Sequence, residues 1–77
     1  MPTSTELEMV ACTLSEMQAD PSEAVDELLR RAGGRRVSLV AARQHLDDRR
    51  ASDPDDEIGE RAIALIDAAL QRGSWSD

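Results

Sequence analysis

The sequence predicts an all-α protein, a compact three- or four-helix bundle with short loops and one small domain over residues 1–77. Three observations carry that expectation. Breaks at Asp20-Pro21, Gly33-Gly34 and Asp53-Pro54 divide the chain into four segments of helix length. Apolar residues recur at helical spacing within each segment. The one candidate extended piece, Arg35-Arg36-Val37, is too short to define a sheet.

The first helix is expected over about residues 5–18. Leu7, Val10, Ala11, Leu14 and Met17 share one face, and Met9, Cys12 and Glu16 lie opposite. Thr5 and Glu8 have the spacing of a capping box. The second helix spans 21–32 and buries Val25, Leu28, Leu29 and Ala32. Asp20 is its N-cap and Pro21 its first residue, where the missing N–H costs nothing. Asp26 with Arg30, and Glu27 with Arg31, stand at i,i+4 in the favourable order. Gly33 suits the left-handed residue that closes a helix.

The third helix is expected over 38–50, with a narrow stripe of Leu39, Ala42 and Leu46 and with Val40 beside it. The fourth is expected over 54–72, capped by Asp53 in the same manner as the second. Ile58, Ala62, Ile63, Leu65, Ile66, Ala69 and Leu70 cover a wide arc of it. Such an arc marks a central helix that touches several others or a second subunit. Gly73 ends it, and Trp75 is placed to fold back on the last turn. Residues 1–4 and 74–77 are expected to be flexible.

Composition excludes several functions. No apolar run approaches the roughly 18 residues of a membrane span. The N-terminus lacks the basic and apolar regions of a secretory signal, so the expected location is cytoplasmic. One cysteine and one histidine build neither a disulfide nor a structural zinc site, and no metal or cofactor is expected. A chain this short, unaided by either, is expected to be marginal alone or to dimerise. Trp75 is the sole aromatic, which argues against base-stacking nucleic-acid platforms. Lys, Asn, Phe and Tyr are all absent and the nine cations are all Arg, as a GC-rich bacterial genome of the actinomycete sort would produce.

Charge is segmented. Residues 1–29 carry seven acids and no base; residues 30–50 carry seven Arg and two acids; residues 51–77 carry seven acids and two Arg. The total is −7. Either the middle segment is neutralised by acidic neighbours within the fold, or Arg35, Arg36, Arg43, Arg49 and Arg50 face an acidic partner or nucleic acid.

The stretch from Leu28 to Leu39 places one apolar helix, a glycine turn and an Arg-bearing helix in succession. This layout resembles the first two helices of winged-helix regulators over some 25 residues. It departs from them in four ways. Gly34 stands where the turn wants an apolar residue, the next helix opens with acids, no wing hairpin follows Gly73, and the chain is acidic overall. Asp53-Pro54-Asp55-Asp56-Glu57 fails as a calcium loop, because Ile58 and Ala64 occupy the places of its Gly and Glu. Cys12 and His45 carry no flanking signature of a nucleophile and base, and neither has an evident orienting group. No catalytic residue is assigned.

The expected function is therefore non-enzymatic. The chain reads as an acidic helical protein-interaction module, a small bacterial regulatory partner of adaptor, inhibitor or antitoxin type. Its partner is another protein, basic in character, or a second copy in a homodimer. Met9, Cys12, Ile63, Ile66 and Leu70 are the expected interface, because helix four and the back of helix one offer more apolar surface than one small bundle needs. The alternatives are a helix-turn-helix-like DNA-binding regulator using segment 30–50, and a structural subunit of a larger assembly.

Overall fold

Twelve apolar side chains, led by Leu7, Leu28, Leu39, Leu46 and Ile66, form one core to which every helix contributes. The computed structural model describes residues 4–73 and 75. The order is α1 (Ser4–Glu16), α2 (Pro21–Ala32), α3 (Arg36–Ser52) and α4 (Glu57–Arg72), and no strand occurs among the described residues. The protein is an all-α bundle of four helices. Its Cα radius of gyration is 11.3 Å and its extents are 35 × 24 × 20 Å. Every helix pair touches; α3 with α4 is the most extensive contact and α2 with α3 the least.

α1 is rotated relative to the expected stripe. Leu7, Ala11 and Ser15 are its buried residues, while Val10 and Leu14 sit at the edge and Met17 is 69% exposed. The turn follows from its neighbours, since α1 packs mainly on α3 and α4 and only thinly on α2. Ser15 is tolerated inside because its hydroxyl donates to the Ala11 carbonyl at 2.9 Å. Cys12, assigned to the outer face by its spacing, is half-buried against the core. The helix also stops short of Gln18. Gln18 takes φ 55°, its N–H donates to the Ser15 carbonyl, and the Ala19 N–H donates to Leu14. That is a Schellman closure with glutamine where glycine is usual.

α2 follows its sequence closely. Asp20 accepts from the Ser22 N–H at 2.9 Å, Pro21 opens the helix, and Gly33 closes it at φ 60° with its N–H on the Leu29 carbonyl. The i,i+4 pairs re-sort. Glu27 takes both Arg30 and Arg31, leaving Asp26 to bridge to Arg72 of α4 at 2.9 Å.

The junction of α3 and α4 corrects the expected cap. α3 continues to Ser52, and the Asp53 N–H closes it on the carbonyls of Arg49 and Arg50. A turn over Pro54 and Asp55 then separates Asp53 from the first residue of α4. The cap of α4 therefore falls on Asp56, which accepts from the Gly59 N–H at 3.0 Å. Pro54 lies in the turn between them. α4 touches all three other helices, as its wide arc requires. Gly73 ends it with extended backbone rather than left-handed φ. Glycine is needed there because a Cβ would strike the Trp75 ring and a Leu29 methyl. Trp75 does fold back, its indole N–H donating to the Leu70 carbonyl at 3.0 Å. Of the ends expected to be flexible, Ser4 is helical and Trp75 is half-buried; residues 1–3, 74, 76 and 77 lie outside the described residues.

Candidate functional site

The apolar surface that the core leaves over lies at two places among the described residues, the outer side and end of α1 and the start of α3, where Val37 and Val40 are exposed. Met9 is 64% and Met17 69% exposed. A groove of about 510 Å³ runs between α1 and α2, floored by Met9, Val10 and Leu14 and edged by Glu6, Glu27 and Arg31. It exists because α1 and α2 meet only thinly. A second hollow of about 490 Å³ lies between the end of α1 and α4, lined by Leu14, Ala64, Leu65 and Arg61 among others. A third, of about 310 Å³, lies between α1, the end of α3 and the start of α4. Leu14 borders the first two and Met9 borders the first and third, so the outer face of α1 has a hollow on each flank.

The five apolar residues singled out in the sequence separate. Met9 is at the surface, and Cys12 and Leu70 are half-buried. Ile66 is fully buried and Ile63 is 5% exposed. Those two are spent on the monomer core and offer no surface to a second chain. The wide arc of α4 is filled by α1, α2 and α3.

The Arg-rich segment also divides. Arg43 donates to Asp67 of α4 at 2.5 Å, and Arg49 donates to Glu8 of α1 at 3.0 Å. Each guanidinium has its pKa raised chiefly by that hydrogen bond. Arg35, Arg36 and Arg50 are exposed and have no ion pair among the described residues. Arg36 and Arg50 stand at opposite ends of α3, about 21 Å apart along its axis. The basic block of the sequence is thus partly neutralised inside the fold, and Arg36, Arg43 and Arg50, at seven-residue spacing, lie along one stripe of α3 in which Arg43 is engaged by Asp67.

Glu8 joins α1 to α3. Its side chain is 13% exposed, with one oxygen 3.0 Å from Arg49 and the other 3.5 Å from His45 Nδ1. The capping-box role read for Glu8 from its spacing to Thr5 is not adopted; Thr5 lies inside α1 and Glu8 reaches across to the third helix. His45 consequently has a neighbouring carboxylate that the sequence did not reveal. Cys12, one turn after Glu8, faces Arg49 rather than His45. Burial, the largest influence, pushes its thiol up, helped by the charges of Glu8 and Asp56 and opposed by Arg49. A thiol held protonated, with no base in contact, is poorly placed as a nucleophile. No group of three or more His, Cys, Asp or Glu that could hold a metal ion occurs among the described residues. No helix among them is long and apolar enough to cross a membrane. Comparison with protein-family models, curated proteins and solved structures finds no match to this chain.

Proposed function

We propose that this chain is a non-enzymatic, acidic helical protein-interaction module that docks another protein on the outer face of α1. In this reading it is a small bacterial regulatory partner of adaptor, inhibitor or antitoxin type, acting in the cytoplasm. One observation carries the proposal: Met9 stands exposed between two hollows on α1, a helix with three acids and no base, and Met17 is exposed just past its end. Methionine adapts its shape to an incoming surface at little conformational cost, which suits a docking face. Glu6 and Glu8 are engaged by Arg31 and by Arg49 and His45, and Glu16, exposed and unpaired among the described residues, favours a basic partner through faster encounter and rejection of acidic competitors. The pairing of Arg43 with Asp67 and of Arg49 with Glu8 weighs against duplex DNA as that partner, because it leaves fewer guanidinium groups free for phosphates.

Capture of the tagged chain's partners from its native host, with and without nuclease, tests the proposal. A specific protein retained after nuclease treatment is the expected result. Recovery of nucleic acid alone, together with duplex affinity that falls steeply as salt is raised, would transfer the function to the Arg-bearing segment.

A further inference from the structure

We infer that a second copy of this chain docks on the outer face of α1 with the first turns of its own α3, so that copies associate head to tail. This rests on the reading of α1 as a docking face and names one occupant for it. Four large apolar side chains are exposed among the described residues, and they form two sets. Met9 belongs to α1 and Met17 follows its last residue; Val37 and Val40 belong to the start of α3. The sets carry opposite charge. Glu16, beside Met17, is exposed and unpaired among the described residues, and so are Arg35 and Arg36, beside Val37.

The shapes also correspond. Val37 and Val40 stand at i,i+3, one ridge on the helix surface, with Arg36 one turn before Val40. A groove of about 510 Å³ floored by Met9, Val10 and Leu14 suits such a ridge. Only α1 and α2 line that groove, so the two surfaces are separate patches of one molecule. The start of α3 is moreover short of negative charge. It has no acid in its first turn, unlike the other three helices, and no side-chain cap, unlike α2 and α4. Acids of a neighbouring copy would complement its positive end. Two different complementary patches make a heterologous contact, which propagates into a chain or ring instead of closing as a two-fold dimer. A two-fold contact of α1 on α1 would set acids against acids.

Sedimentation equilibrium of the full chain and of two variants tests this. The wild type should pass beyond a dimer as concentration rises, and should dissociate in about 1 M salt, where screening acts within about 3 Å. Met9→Asp and Val40→Asp should each lose self-association while keeping their helical signal, because both side chains are exposed. Val37→Asp repeats the second lesion if Val40→Asp unfolds. Mixing Met9→Asp with Val40→Asp should restore a single contact and stop at a one-to-one pair, since each variant keeps the patch the other lacks. A wild type that stays monomeric into the millimolar range overturns the inference. So does a wild type that stops at a dimer while the mixed variants remain apart. If the monomeric wild type still captures a host protein through Met9, the docking reading survives alone; if it captures none, both fail.

Discussion

Glu8 of α1 reaches Arg49 and His45 of α3, with Cys12 one turn further along α1, and this contact joins the two helices. Glu8 sits nearly enclosed between Arg49 and His45, and Arg49 also lowers the pKa of Cys12 against the burial that raises it. The expected consequence is a slow thiol. Alkylation of Cys12 at mildly alkaline pH should be several-fold slower in the folded chain than in the same chain unfolded by urea, since fewer thiols are ionised and access is reduced. Equal rates would mean that α1 opens at Cys12 and does not pack as described. This part of the surface was poorly legible in the sequence. The spacing from Thr5 to Glu8 is a local signal and names a local partner. The true partner of Glu8 lies on α3, and which long side chain a carboxylate reaches across a bundle depends on how two helices are rotated. Met9 was legible because its exposure follows from lying opposite Leu7 and Ala11.

Helix ends show the same division between local and tertiary causes. The start of α2 needs only Asp20 and Pro21, both adjacent to it in sequence, and forms where expected. The same local rule assigns the start of α4 to Asp53, and the cap is instead Asp56, which accepts from the Gly59 N–H. α3 continues to Ser52 and closes on the Asp53 N–H, and the turn over Pro54 and Asp55 moves the start of α4 three residues on. Asp56→Ala should therefore cost about 1 kcal/mol of stability, the usual worth of a helix cap, whereas Asp53→Ala should cost much less. Urea midpoints of the two variants check this, and the reverse order would restore Asp53 as the cap. The end of α1 escaped notice for a related reason. Gln18 takes the left-handed conformation without being glycine, so no residue type announces the turn. Gly73 was recognised as a terminator, but its need for glycine comes from the Trp75 ring lying against it, a contact that appears only once the chain has folded back.

At the scale of the whole molecule, fold class was legible and surface assignment only half so. Four periodic segments joined by short breaks leave little choice but a helical bundle, because each apolar stripe must be covered by another. The width of the α4 stripe, by contrast, does not reveal whether the covering elements belong to the same chain. Here they do: α1, α2 and α3 cover Ile63 and Ile66 between them. The surplus apolar surface is instead at the outer side and end of α1, which meets α2 thinly and leaves Met9 and Met17 in contact with solvent, and at the start of α3, where Val37 and Val40 are exposed. The Arg-rich segment behaves alike, since whether its charge is spent internally depends on the neighbours of α3. Arg43 and Arg49 are consumed by Asp67 and Glu8, and Arg35, Arg36 and Arg50 are not. The account therefore separates a core that holds the bundle from an α1 face that docks a partner. Comparing Met9→Asp with Ile66→Asp tests that separation most directly, with helical content and host-protein capture measured on the same preparations. Ile66→Asp should lose both, because an unpaired carboxylate would be buried where the isoleucine is fully enclosed. Met9→Asp should keep its helical signal and lose the captured protein. Loss of helicity in Met9→Asp, or undiminished capture by it, would contradict the account.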